Sequence, residues 1–445
     1  MKERIKVFMA IIGCSIAGSG AYAQSGPVQH KLSVQQAVDY AAKNNVQVKN
    51  ALIDIQIQKE VNREVASAAY PQLSATGSFT DNLKLQTTLL PGELIGQPGT
   101  FVPVTFGTKY ITSGSVDATQ LLFDGQVFIG LKARKTSLLW KQKNAEITEE
   151  SIRANVIKIY YQLVLSKTQL GLLDANIALV EKLKHDAGIM YENGFVEKLD
   201  VDKNDVQLTN LQTEKEKVLV SVANGYNGLK VLLGIPVQEQ LILTDSLSDE
   251  QIRSNVLQDA TYSYDDRRDF QYLMLSRRLN DFNVKRYQYS KLPTLSASAT
   301  YNKQKQSNDF RFDGDWFTAS YIGLRLSVPI FSGFSKNAKI NQAKLAVKQI
   351  DNQLENMKIS IDNEVEAAKN NFKTAIAIMD YQKKNMALAE RVYSQTKKKY
   401  EVGTGSQTEI NTAQTDLKTA QTNYVSALYD AAVAKVDFLK AIGKL

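Results

Sequence analysis

Two nearly matching interruptions in otherwise helical sequence constrain the fold of this 445-residue chain more than any other feature. "YENGFVEKLDV" (191–201) and "YEVGTGSQTEI" (400–410) each place a glycine after a long helical pattern and an acidic residue six positions after that glycine. A glycine at such a position commonly ends a helix. The two stretches therefore predict two helical hairpins with turns at Gly194 and at Gly403 and Gly405, related by an internal repeat.

Proline placement and apolar spacing indicate how long these helices are. The stretches 104–235 and 330–445 contain none of the eight prolines, so each permits a long helical hairpin. Apolar residues recur every seven positions, which is typical of a coiled coil. The rows of the second half are Ile340, Val347, Leu354, Ile361, Ala368 and Ala375, then Val365, Phe372, Met379, Met386, Tyr393 and Tyr400, and beyond the turn Ile410, Leu417, Tyr424, Ala431 and Phe438. The first half is less regular, and a helix over its residues 124–191 has a length of ~100 Å at ~1.5 Å per residue.

Between the helices lie four segments in which apolar and polar residues alternate. They are 73–85, 110–123, 295–301 and 317–331. In the last one Ile322, Leu324 and Leu326 share a face, and this period of two predicts strands with one apolar side. "YPQLSATGSF" (70–79) corresponds to "LPTLSASATY" (292–301), and "LFDG" (122–125) to "IFSG" (330–333). Each half therefore reads helix, strand pair, long helix, turn, helix, and the predicted fold class is mainly α with β, internally duplicated.

The sequence also predicts the division of the chain. "MKERIK", an apolar run and "AYA" before Gln24 predict a signal peptide over 1–23 and hence export. "IIGC" also resembles a lipidation signal on Cys14, the only cysteine, and this alternative stays open. The predicted divisions are a first repeat over 24–240 with strand pair 71–123 and hairpin 124–235, an equatorial linker over 241–264, and a second repeat over 265–445 with strand pair 293–331 and hairpin 332–442.

Composition and motifs exclude several classes of function. The net charge of +8 is spread along helical stretches, which favours solvated helix faces over a nucleic-acid interface. His30 and His185 are the only histidines and are expected to be solvated surface residues. There is no metal-ligand spacing, nucleophile motif or phosphate loop, so we predict neither an enzyme nor a cofactor. No membrane-spanning helix is predicted after the signal peptide, whereas alternating strands leave a membrane location open.

Four strands are too few to close a barrel, and open sheet edges are not tolerated in lipid. If the strands lie in a membrane, several chains share one barrel, with eight strands in a dimer or twelve in a trimer. The alternative is an ordinary soluble sheet beside a coiled coil.

The order of strands, "LFDG" or "IFSG", coil, turn glycine and coil resembles the TolC-like outer membrane efflux proteins over nearly the whole mature chain. The resemblance implies a homotrimer with a twelve-stranded barrel in the outer membrane and a periplasmic tunnel of twelve helices. It further implies a passive exit duct for efflux or type I secretion, which receives substrates from a periplasmic adaptor and an inner-membrane pump of the RND or ABC type. A periplasmic adaptor or a structural coiled-coil protein is the alternative, although an adaptor is expected to have one hairpin rather than two.

The same resemblance implies roles for residues at the turns. Gly194, Gly403 and Gly405 are implied to form the periplasmic tip, where the adaptor binds. Asp200 and Tyr400 match a pair that ties the closed tip, and Glu409 matches an acidic ring at the constriction. Two positions depart from the family pattern. Gly405 occupies the position of an arginine partner, and Thr412 occupies the position of the residue that forms a second acidic ring.

Overall fold

The computed structural model describes residues 29–96, 98–253 and 261–445. The predicted signal peptide over 1–23 and Cys14 lie outside the described residues. The described chain forms two compact units. The first contains 29–45, 152–253 and 374–433, and the second contains the described residues of 46–151, 261–373 and 434–445.

Helices, several of them long, make up most of the described chain. They are α1 (Val34–Asn44), α2 (Val46–Ser67), α3 (Gly125–Glu192), α4 (Lys198–Leu233), α5 (Asp249–Arg253), α6 (Arg268–Tyr289), α7 (Ser335–Glu401) and α8 (Gln407–Ala441). The two predicted hairpins correspond to α3–α4 and α7–α8. By length and composition alone, a window in α3 is apolar enough to cross a membrane. This is weak evidence for a membrane span, because core helices of soluble proteins pass the same test.

Four strands form one antiparallel sheet in the order β2-β5-β7-β8. The strands of the chain are β1 (Gln29–Leu32), β2 (Gln72–Asp81), β3 (Thr87–Pro91), β4 (Phe101–Thr105), β5 (Tyr110–Phe123), β6 (Gln240–Leu243), β7 (Thr294–Ser307) and β8 (Phe317–Ser327). All four segments predicted as strands belong to the four-stranded sheet. Two pairings were not predicted: the hairpin β3–β4 and the parallel pair β1–β6.

The parallel pair explains why one histidine differs from its prediction. The Nε2 atom of His30 on β1 lies 2.6 Å from Oε2 of Glu239, just before β6, and the His30 side chain is 18% exposed. His30 is therefore a paired, largely buried residue, and the expectation that it is solvated is wrong.

The strand registers of the two halves match one another. Leu73 of β2 pairs with Ala118 of β5, and Leu295 of β7 pairs with Leu326 of β8. These are equivalent positions under the sequence correspondences that relate 70 to 292 and 122 to 330. The internal repeat therefore extends to the register of individual residue pairs.

The two faces of this sheet have opposite character. One face, called the apolar face below, includes Ile322 and Leu324, which are 87% and 72% exposed. On the other face, Thr300 Oγ1 donates a hydrogen bond of 2.7 Å to Asp117 Oδ1. Large exposed apolar surfaces mark contact with lipid or with other chains rather than with water.

The predicted seven-residue rows form the core of each unit. In the first unit Leu183 packs with Tyr400 and Ile410. In the second unit the rings of Phe372 and Phe438 stack with their centroids 6.0 Å apart. The rows thus hold the long helices together, as the coiled-coil pattern predicts.

Candidate functional site: the ends of the two hairpins

The two hairpin turns have the same backbone geometry. Gly194 has a φ of +79° and Gly403 a φ of +77°. The N–H of Phe195 donates to the carbonyl oxygen of Met190 at 2.8 Å, and that of Thr404 donates to the carbonyl oxygen of Lys399 at 3.0 Å. This six-to-one bond with a left-handed glycine is a Schellman motif, which ends a helix. The structure therefore places both predicted glycines at helix ends.

Gly405 is restricted by close packing rather than by its φ angle. A Cβ atom at this position would lie 3.0 Å from the backbone nitrogen of Tyr400 and 3.2 Å from the carbonyl carbon of Lys399. The chain therefore folds back against the end of α7 here, and no larger residue fits without a shift. A larger side chain at this position would therefore require a different turn.

Glu409 takes part in the start of helix α8. The backbone N–H of Glu409 donates to Ser406 Oγ at 3.2 Å, and the N–H of Ser406 donates to Glu409 Oε2 at 3.3 Å. These reciprocal bonds are a capping box. The letters "SQTE" contain this signature, which the sequence reasoning overlooked. The Glu409 side chain itself is exposed.

Tyr400 is a buried residue of the hairpin core. Its hydroxyl donates to Met190 Sδ at 3.7 Å rather than to Asp200. Burial raises the pKa of Tyr400, and the nearby carboxylates of Asp186 and Asp200 raise it further. Asp200 lies in the first turn of α4, where its carboxylate pairs with Lys203 Nζ at 3.2 Å.

Buried amide side chains connect the two hairpins, and these were not predicted. Gln407 Nε2 on α8 donates to Asn204 Oδ1 on α4 at 3.0 Å. Seven residues further along α8, Gln414 Nε2 donates to Asn176 Oδ1 on α3 at 3.2 Å. Asn176 in turn donates to Gln421 Oε1 at 2.9 Å. Gln407, Gln414 and Gln421 follow one another at intervals of seven, so the heptad pattern carried a signal for this amide network.

A cavity of about 270 Å³ lies between α3 and α7, next to these turns. Its lining includes Leu179, Met190, Tyr393 and Tyr400, together with charged residues such as Lys397. Burial and the neighbouring carboxylate of Glu401 raise the pKa of Tyr393 to about 12. The Tyr393 hydroxyl has no hydrogen-bond partner in the described part of the chain. The cavity therefore combines apolar walls with a free donor, as ligand and docking pockets do.

The described residues at the hairpin ends contain no cluster of metal-ligand side chains. No group of three or more His, Cys, Asp or Glu among residues 29–96, 98–253 and 261–445 is arranged to hold a metal ion.

Known proteins share this combination of hairpins and strands. The outer membrane protein VceC of Vibrio cholerae superposes with a TM-score of 0.73 at 15% identity, over 92% of this chain and 96% of that one. The outer membrane efflux protein BepC of Brucella suis is 22% identical over 454 aligned residues, which cover 100% of this chain and 91% of BepC. The outer membrane protein TolC of Vibrio cholerae is 21% identical over 339 residues, 75% of this chain and 77% of the relative.

These likenesses define a class: outer-membrane channels in which a strand region is joined to long periplasmic helices. Residues 265–444, nearly the whole predicted second repeat, match the family described as outer membrane efflux protein. The resemblance found in the sequence is confirmed. The second repeat matches this family, and the chain as a whole is similar to TolC-like outer membrane efflux proteins. It serves as an outer-membrane exit duct for an efflux system and has a periplasmic extension.

Proposed function

We propose that three copies of this chain form one passive channel, in which twelve strands make a shared barrel in the outer membrane. The observation that carries this proposal is the four-stranded sheet with its exposed apolar face and two unpaired edges, β2 and β8. Lipid offers no hydrogen bonds to an open edge. Pairing β8 of one chain with β2 of the next satisfies both edges and closes the ring.

The internal repeat predicts the register of this contact between chains. Within the chain, Thr119 of β5 pairs with Ser298 of β7. The equivalent of Thr119 in the second half is Ser327, and the equivalent of Ser298 in the first half is Thr76. We therefore expect Ser327 of one chain to lie opposite Thr76 of its neighbour.

The hairpin turns are proposed to form the periplasmic tip, with Gly194, Gly403 and Gly405 at its end. A periplasmic adaptor docks there, and through it an inner-membrane pump of the RND or ABC type delivers substrate. Two features support docking at this end: the cavity lined by Tyr393 and Met190, and the open space around Gly194 and Gly403.

Closure of the tip is proposed to involve Asp200, Tyr400 and Glu409, together with the amide network. Three-fold symmetry brings three Glu409 carboxylates around one axis, and such a ring favours cations. The amide contacts between α8 and helices α3 and α4 carry no charge. They are expected to hold the hairpins together over a wide range of pH and salt.

Planar-bilayer recording of the purified protein tests the proposed function. We expect discrete current steps once protein is added, because a closed ring of strands encloses a water-filled pore. Flotation with lipid vesicles serves as the control for insertion. Protein that floats with lipid but gives no current steps contradicts the proposal.

A further inference from the structure

At one end of the four-stranded sheet, a lysine is buried without a partner. Lys305 of β7 is 6% exposed, and its Nζ atom has no hydrogen-bond partner in the described part of the chain. The following loop contains Asp309, Asp313 and Asp315, yet in that same described part none of them is a hydrogen-bond partner of the Lys305 ammonium. A buried charge without partners is costly. An anionic group brought to the ammonium would therefore remove this cost.

Four aromatic rings surround the same end of the sheet, and we call them the rim cluster. Phe79 stacks on Tyr110 with ring centroids 5.9 Å apart, and Phe310 meets both rings edge-on at 5.6 and 5.7 Å. Phe312 packs against Phe310 at 5.5 Å. The residue pairs Phe79–Thr112 and Thr112–Lys305 place the lysine in the same cross-strand row as Phe79.

The rim cluster and Lys305 lie on the apolar face. Ala299 on β7 pairs with Ile322 on β8, and Lys303 and Lys305 follow Ala299 on the same face at intervals of two. Helices are attached at the opposite end of these strands, at Gln72, Phe123, Thr294 and Ser327. The face thus changes from apolar to aromatic and basic at the end away from the periplasmic helices. Aromatic residues and snorkelling lysines mark the interface between lipid tails and headgroups.

The backbone beside the Lys305 ammonium is that of a glycine. Gly314 has a φ of +101°, and a Cβ atom at this residue would lie 3.4 Å from Lys305 Nζ. A Cβ atom here would touch the ammonium group, and the positive φ angle disfavours any residue other than glycine. The loop also carries Arg311, an exposed second cation within the segment that contributes Phe310 and Phe312.

We propose that Lys305, Arg311 and the rim cluster bind the phosphate of an anionic lipid headgroup in the outer leaflet, with the acyl chains along Ile322 and Leu324. The inference rests on the location of the sheet in the outer membrane. Phosphate offers several charged acceptor oxygens to a lysine and an arginine, and in an anionic headgroup no choline or ethanolamine cation neutralises them. The apolar face next to the cations distinguishes a lipid from a free phosphate ion.

Lipid retention in nanodiscs tests this inference. Delipidated protein is reconstituted in phosphatidylcholine with a minor fraction of phosphatidylglycerol, and the phosphatidylglycerol that stays bound is counted by native mass spectrometry. We expect Lys305→Met to lower this retention about tenfold, the scale of one charge-assisted hydrogen bond. Lys305→Arg is expected to retain the lipid. Lys303→Met is the matched control, because Lys303 lies on the same strand and the same face as Lys305 but is exposed.

Three results would overturn the inference. The first is equal lipid retention by the wild type and Lys305→Met. The second is an equal loss of lipid in Lys303→Met and Lys305→Met, which would indicate attraction by diffuse charge rather than a site. The third is displacement of the lipid by excess inorganic phosphate, which indicates a site for the free ion. Failure of the wild type to enter nanodiscs contradicts the proposed membrane channel itself and is scored separately by the yield of protein-containing discs.

Discussion

The guanidinium of Arg267 donates a hydrogen bond of 2.8 Å from Nη1 to the carbonyl oxygen of Ala441, at the C-terminal end of α8. The first repeat has an equivalent contact, in which Asn45 Nδ2 donates to the carbonyl oxygen of Leu232 at 2.7 Å, at the end of α4. Within its own compact unit, each hairpin is therefore fastened at its final carbonyls by a buried polar side chain. Arg267 also binds two carboxylates, those of Asp269 and Glu364.

This difference predicts unequal effects of substitution. Arg267→Met removes a guanidinium that serves three acceptors, so we expect a loss of about 2 kcal/mol in the free energy of unfolding. This loss is smaller than for a fully buried ion pair, because both carboxylates reach solvent. Asn45→Ala is expected to cost about 1 kcal/mol. Urea unfolding in detergent measures both. Arg63→Ala, which removes an exposed ion pair with Glu60, serves as the control and is expected to stay within about 0.5 kcal/mol. A similar cost for Arg267→Met and Arg63→Ala would show that the buried contact is not important.

The charge of Glu409 can be separated from its capping role. Glu409→Gln keeps the capping box, since glutamine serves there as well, but removes the proposed ring of negative charge. We expect cation selectivity and block by multivalent cations to weaken in planar bilayers. Ser406→Ala removes the cap and keeps the charge, so its selectivity is expected to match the wild type. If Glu409→Gln retains the wild-type reversal potential, Glu409 acts only as a helix cap.

Bulk at the turn tests docking at the tip. A Cβ atom at Gly403 would meet nothing within 4 Å, so a side chain can begin there without a clash. Gly403→Ala and Gly403→Trp share the strain of the positive φ angle, about 1 kcal/mol, and differ mainly in size. We expect transport in cells to be lost with tryptophan and largely kept with alanine, at equal amounts of membrane-inserted protein. Equal transport by both variants would place docking elsewhere.

The amide network predicts a destabilised tip when its centre is removed. Gln414 is 1% exposed, accepts from Gln207 and donates to Asn176. Gln414→Leu leaves Asn176 Oδ1 without its donor and Gln207 Nε2 without its acceptor, at a cost of about 1–3 kcal/mol. We expect faster hydrogen exchange in the first turns of α8 and a larger open-channel current. Thr415→Ala, on the exposed side of the same helix, is the control. Unchanged exchange in Gln414→Leu would show that the apolar rows alone hold the hairpins.

Much of the fold was predictable because its parts repeat a simple period. The heptads of α7 and the alternation of β8 each identify an element, and the glycines at 194 and 403 mark turns that only a left-handed residue forms easily. The short pair β1–β6 was missed because four residues carry too little periodicity. The partners of Tyr400 and His30 were missed because long-range side-chain contacts leave no local pattern. Gln414 was overlooked although its seven-residue spacing was visible.

Disulfide cross-linking between chains tests the shared barrel most directly. Cys14, within the predicted signal peptide, is the only native cysteine, so a pair introduced at Thr76 and Ser327 is free of competition in the mature protein. Cross-strand neighbours lie at distances suited to a disulfide. We expect oxidation in membranes to yield a ladder of cross-linked species that ends at three chains. Cysteines at Thr76 and Leu326, one residue out of register and on opposite faces, are expected to give none. Chains that stay monomeric with the Thr76–Ser327 pair, or that cross-link equally with both pairs, would contradict the shared barrel.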